Sequence, residues 1–129
     1  MKEEILFAIE RYEQAVGRLR EGINSVVDEL DKDGVIQRFE FTFELLWKTL
    51  KIYLEDQGRE CTSPKDCLKQ AFRYGFITDE QLFLDMLEDR NKTSHIYNRA
   101  KAEEIFQNIK GKHYPVMNQL VHILKGGNE

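Results

Sequence analysis

Apolar residues recur along the start of the chain at Ile5, Ile9, Tyr12, Val16, Leu19, Ile23, Val26 and Leu30. Steps that alternate between four and three lay an apolar seam along one side of a helix. Asp31-Lys32-Asp33-Gly34 supplies polar residues and a glycine, so this segment predicts a stop and a turn. The pattern resumes with Ile36, Phe39, Phe43, Leu46, Trp47, Leu50 and Leu54 and ends at Gln57-Gly58. Two long amphipathic helices joined by a short turn predict an antiparallel hairpin.

Ser63-Pro64-Lys65-Asp66 then reads as a helix start, with a capping hydroxyl, proline in the first turn and an acid behind it. Cys67, Leu68, Ala71 and Phe72 give this third helix an apolar face, and Tyr74-Gly75 closes it. Thr78-Asp79-Glu80-Gln81 matches a capping box for a fourth helix that buries Leu82, Phe83, Met86 and Leu87 and runs to about Asn91. A last helix begins near Asn98 with a seam of Ile105, Ile109, His113, Val116, Leu120 and Ile123. Pro115 is expected to kink or break it near Lys112. No alternating strand-like run or repeat interrupts the helical pattern. The expectation is an all-α, up-and-down bundle of about five helices forming one domain over residues 1–129.

Composition narrows the class. Only 2 Pro and 8 Gly in 129 residues suit a helix-rich chain, and a net charge of −4 gives no overall attraction to nucleic acid or an anionic membrane. The charged start Met1-Lys2-Glu3-Glu4 is unlike a signal peptide, and no apolar run approaches the ~18 residues of a membrane span. Cys61 and Cys67 are too few for a secreted disulfide scaffold. Cys67 reads as a buried thiol on a helix face, and His113 and His122 as core or rim histidines. A cytoplasmic protein without a membrane partner is expected.

One segment departs from this background. Between Asp89 and Lys101, four cations (Arg90, Lys92, Arg99, Lys101) oppose the single acid Asp89, giving +3 in 13 residues. The same stretch carries His95, Tyr97, Asn91 and two hydroxyls, and connections between helices are where functional groups collect. In an unbroken helix Arg90 and His95 would lie about 140° apart around the axis. A break near Lys92 with an extended 93–98 would instead put His95 and Tyr97 on one side and let His95 fold back toward Arg90. A second copy across a two-fold axis offers another way to unite them. A structural role fits the same residues: Arg90 in an ion pair near a helix C-terminus, His95 as a loop residue, Tyr97 as a packing residue.

Arg90 to Tyr97 reads R-N-x-x-x-H-x-Y, which resembles the R-x4-6-H motif of the HEPN superfamily. Gln37 to Leu50, with Phe39, Phe41, Phe43 and Trp47, is similar to the second-helix signature of the nucleotidyltransferase substrate-binding protein family, as are Ser63-Pro64-Lys65-Asp66 and Asp89 to His95. The resemblance covers nearly the whole chain. It implies a homodimeric helical bundle paired with a minimal nucleotidyltransferase in a toxin–antitoxin system. It also implies Arg90 and His95 as catalytic residues of metal-independent RNA cleavage, and Tyr97 as the residue on which the partner places AMP. No cofactor and no metal are implied. Within that resemblance Asn91 would orient phosphate or His95, while Lys92, Arg99 and Lys101 would hold the RNA backbone. Two other readings stay open: a non-catalytic subunit that binds nucleotide or substrate for the partner enzyme, and an interaction domain. Phe41 bears on the second, because Phe39, Phe41 and Phe43 cannot share one helix side.

Overall fold

The computed structural model describes residues 2–126. Helix α1 (Glu3–Asn24) packs along α2 (Glu29–Asp56), the longest element. Helices α3 (Pro64–Arg73) and α4 (Glu80–Lys92) follow, then a 3-10 turn (Thr93–His95). The final rod is α5 (Arg99–Asn108), a π-helical turn (Ile109–His113) and α6 (Tyr114–Gly126), joined without a break. Among the described residues there are five helical rods and no strand, as the periodicity predicts.

Helix α2 is the spine, touching α1, α3, α4 and α5, while α6 closes back on α1. One apolar core built on Tyr12, Phe39, Phe43, Leu46, Met86 and Leu120 joins every rod. Tyr12 spans the bundle, its buried hydroxyl donating to the Met117 carbonyl at 2.7 Å. Burial pushes its phenol well above the usual tyrosine pKa, so it remains a neutral donor.

The first turn lies earlier than the hydrophobic pattern places it. The chain reverses over 25–28, and Asp31-Lys32-Asp33-Gly34 belongs to the first turns of α2. Reciprocal capping decides the boundary. The Asp28 carboxylate accepts from the Asp31 N–H at 2.9 Å, and the Asp31 carboxylate accepts from the Val27 N–H at 3.0 Å. Two orphan amides of the helix start are thereby satisfied. Ser63 and Asp66 repeat the device at α3, where Asp66 accepts from the Thr62 N–H. Of the two residues that spacing assigned to the end of the first helix, Val26 packs against the core and Leu30 stands outside it, as does Val27.

Other local differences have equally specific causes. The α4 cap is Asp79 rather than Thr78. Phe72 is exposed, and Leu82 and Leu87 are only partly buried. Cys61 and Cys67 are joined as a disulfide, which corrects the expectation of a free Cys67 thiol. Pro115 disturbs the last rod without breaking it. Because proline has no N–H for the Gly111 carbonyl, the preceding turn widens and the Tyr114 N–H bonds to Ile109 instead. That extra residue re-phases the seam around Leu120, which stays buried, so Met117 and Leu124 are buried where Val116 and Ile123 were expected. Phe39 and Phe43 are buried and Phe41 is exposed.

The new boundary of α2 makes a sharp prediction. Gly34 lies in a helix interior, and an added Cβ there meets nothing within 4 Å. Gly34→Ala is expected to raise stability by about 0.5–1 kcal/mol in urea denaturation. Were Gly34 the turn residue that the pattern suggests, the same change would destabilise the protein.

Candidate functional site

The end of α4 is fixed from below by a buried carboxylate. Asp89 falls on the stripe of Phe83 and Met86, and it is buried with them. Its Oδ2 accepts from Asn108 Nδ2 at 3.0 Å and lies 2.7 Å from His113 Nε2. An ionised carboxylate can only accept, which places the imidazole proton on Nε2. His113 stacks on Phe39 with ring centroids 5.4 Å apart, and its Nδ1 makes no hydrogen bond within the protein. Burial works against the Asp89 charge, but the bonds from His113 and Asn108 outweigh it and hold the carboxyl below the usual aspartate pKa. The π-helical turn makes this contact, since it carries His113 toward α4.

Beyond this anchor the α-helix tightens into the 3-10 turn and then opens at Ile96, which is extended. Thr93 and Ser94 aid the transition, their hydroxyls donating to the Arg90 and Asn91 carbonyls. Asn98 starts α5 by accepting from the Lys101 N–H at 2.8 Å. His95 and Tyr97 are both exposed, and their rings are 6.5 Å apart. A cavity of about 420 Å³ between α4 and α5 is lined by Glu88, Asn91, Lys92, His95, Lys101 and Ile105. Glu88, Asn91/Lys92 and His95 are successive residues of one helical face, which explains their convergence.

The other predicted residues lie elsewhere. Arg90 turns toward α2, where its guanidinium meets Glu44 at 3.3 Å, and it does not line the His95 cavity. Glu44 also faces Lys48 at 3.6 Å. Arg99 is committed to acids at the start of α2, 3.0 Å from Asp33 and 3.6 Å from Glu29. Tyr97 sits above that junction, bordering a cavity of about 390 Å³ with Asp33, Ile36 and Arg99. Within one chain, then, His95 keeps company with Asn91, Lys92, Lys101 and Tyr97, and lies apart from the Arg90–Glu44 pair.

Sequence reasoning did not single out Asp89, Asn108, Glu44 or Glu88. For Asp89 a signal was present, because an acid three residues after Met86 and six after Phe83 falls on a buried stripe and needs a partner. His113, read as a core or rim histidine, is that partner. Among the described residues no group of three or more His, Cys, Asp or Glu side chains is arranged to hold a metal ion. No helix there is long and apolar enough to cross a membrane.

Fold and site together define an all-helical bundle with a cationic cavity, and an exposed His–Tyr pair, at the break between its fourth and fifth rods. The chain belongs to the family described as nucleotidyltransferase substrate binding protein like, whose model matches residues 8–126. A curated relative from Haemophilus influenzae, named probable ribonuclease HepT, is 33% identical over an alignment of 90 positions that covers 66% of this chain. The match covers 62% of that relative, so the chain spans somewhat under two thirds of its length. A crystal structure of a protein from Thermus thermophilus superposes with a TM-score of 0.76 at 35% identity, covering 90% of this chain and 97% of that one. The Haemophilus influenzae protein HI0074, described as having the fold of a substrate binding domain of a nucleotidyltransferase, gives a TM-score of 0.66 at 27% identity, covering 94% and 96%.

The anchor beneath the cavity can be tested by its acid dependence. The folded Asp89 pKa lies below the unfolded one, so its stabilisation is complete above the unfolded value and is lost as pH falls through the folded value. Asp89→Asn should lower unfolding free energy by about 1–3 kcal/mol at neutral pH. The gap to the parent protein should close as pH drops below roughly 4. A gap that stays constant into acid would mean the folded carboxyl is not ionised.

Proposed function

We propose that the chain is a HEPN-type ribonuclease toxin that acts without a metal and is controlled by a nucleotidyltransferase partner. The observation that supports this reading is the exposed imidazole of His95 at a cavity shared with Asn91, Lys92 and Lys101, beside the exposed phenol of Tyr97. The relative named as a probable ribonuclease favours the same chemistry.

RNA carries its own nucleophile, so a protein that orients it needs to manage protons and charge. His95 takes the proton of a ribose 2′-hydroxyl, and the oxygen attacks the adjacent phosphorus. A bond from O2′ to phosphorus forms as the bond to O5′ breaks, and the leaving oxygen takes a proton from solvent. The products are a 2′,3′-cyclic phosphate and a free 5′-hydroxyl. Lys92 and Lys101 neutralise the backbone and Asn91 orients the phosphate. Arg90 stabilises the charge on the transferring phosphoryl group. To do so it exchanges Glu44 for phosphate, or it serves the cavity of a second copy in a homodimer. Either change is inexpensive, since a half-exposed ion pair contributes about 0–1 kcal/mol. Arg99, bound to Glu29 and Asp33, contributes at most to the rim.

Control operates at Tyr97. Its hydroxyl oxygen attacks the α-phosphorus of ATP held by the nucleotidyltransferase, a phosphodiester to AMP forms, and pyrophosphate leaves with its electron pair. The phenolic proton passes to a base of that enzyme. An adenylyl group on Tyr97, whose ring lies 6.5 Å from that of His95, blocks the cavity and adds negative charge beside the lysines.

A second reading is favoured by the Arg90–Glu44 pair and by the description of HI0074. There the cavity binds a nucleotide phosphate for the partner enzyme and cleaves nothing. One set of assays separates the two. The purified chain alone should cut RNA in EDTA and leave cyclic phosphate ends, and His95→Ala should slow it by about 10²-fold or more. Equal rates for parent and variant would refute the ribonuclease. Nucleotide binding by calorimetry without any cleavage would establish the second reading. Incubation with the nucleotidyltransferase and ATP should add the mass of one AMP to the chain, and Tyr97→Phe should abolish the increment.

A further inference from the structure

Among the described residues, the three most exposed large apolar side chains are Val27 at 88%, Tyr97 at 85% and Leu30 at 77%, and all three lie at one end of the bundle. Tyr97 borders a cavity with Asp33, which follows Leu30 by three residues on α2 and so neighbours it along the helix surface. Val27 is tied to the same turn through its N–H to Asp31. Arg99 bolts the two segments together through Glu29 and Asp33, fixing Tyr97 relative to Leu30. Neither Val27 nor Leu30 belongs to the core cluster, so both are free to meet a partner.

We propose that Val27 and Leu30, with the acids around them, form the docking surface for the nucleotidyltransferase that modifies Tyr97. The proposal rests on the reading of Tyr97 as the adenylylated residue. An enzyme that brings the α-phosphorus of ATP to the Tyr97 hydroxyl must cover the surface around it, and Val27 and Leu30 are the apolar part of that surface. Charge defines the face it presents. Asp28, Glu29, Asp31 and Asp33 outnumber Lys32 and Arg99, so the partner offers an apolar patch rimmed by lysine or arginine. The surface is separate from the His95 cavity, whose lining it does not share. The partner can therefore recognise the protein without competing for RNA-binding residues.

The test uses the full chain, the nucleotidyltransferase and ATP with magnesium, and follows the AMP increment by intact mass. Leu30→Glu and Val27→Glu should each slow the increment at least tenfold and weaken binding of the partner in titration. RNA cleavage by either variant alone should match the parent. Both positions are exposed, so the melting temperature should hold. Phe7→Glu, at an exposed apolar position on α1, should be modified at the parental rate. The parental rate should also fall as salt is raised. If the parent takes up AMP and both Glu variants take it up equally fast, the docking surface is refuted and the reading of Tyr97 stands. If Phe7→Glu is slowed as much as they are, the surface is not specific and the proposal fails. Conversion of a parental dimer to monomer by Leu30→Glu would also overturn it, by making the patch a contact between copies. A parent that never gains AMP would refute the reading of Tyr97 itself.

Discussion

A buried carboxylate held by an imidazole and an amide organises the functional end of this bundle. Asp89 is inside the protein, and an isolated charge there would be strongly unfavourable. Its two partners both come from the final rod, so α4 and that rod must meet at this height and in this rotation. The residues that follow, from Arg90 to His95, inherit their directions from that constraint. Asn91, Lys92 and His95 face α5, while Arg90 is left on the side of α2. The polar anchor sits against Phe39, which belongs to the main core, and the site is therefore coupled to the best-packed part of the molecule.

The electrostatics divide the surface into two territories. Around His95 the lysines prevail, with Glu88 as the nearest acid in the lining. At the start of α2 the acids prevail, and Arg99 serves there as a clamp. Tyr97 stands on the border between them. That position lets one side chain report to both: its ring lies 6.5 Å from the imidazole, and it borders a cavity with Asp33, one helical turn after Leu30. The net charge of the whole chain, −4, describes neither territory.

Much of the fold was legible because its signals are periodic and redundant. The number of rods, their order and the start of α3 and α5 followed from seams and caps. What misled was a competition between two local signals. Val26 and Leu30 continue the spacing of the first seam, yet Asp28 and Asp31 satisfy two backbone amides, and hydrogen bonds at the helix start outweigh the burial of Leu30 at the bundle's end. The shift to Met117 and Leu124 could not be read for a different reason: proline announces a disturbance but does not say whether the rod breaks or absorbs it. For the candidate site, composition and spacing singled out His95, Asn91, Lys92 and Lys101, which line one cavity, and Tyr97, which stands beside His95. The pairing of Arg90 with Glu44 and of Asp89 with His113 joins positions far apart in the chain, and local pattern can show that a group needs a partner without showing which one it takes.

The widened turn at Ile109–His113 amounts to one residue more than a regular helix would need between its two flanks. Everything downstream is phased by that surplus. Substitutions along α6 act one at a time, but losing or gaining a single residue in this turn would rotate the entire C-terminal segment by roughly 100°. Tyr12 would then lose its acceptor on Met117, and Asp89 its imidazole. Length, as well as identity, therefore constrains this part of the chain.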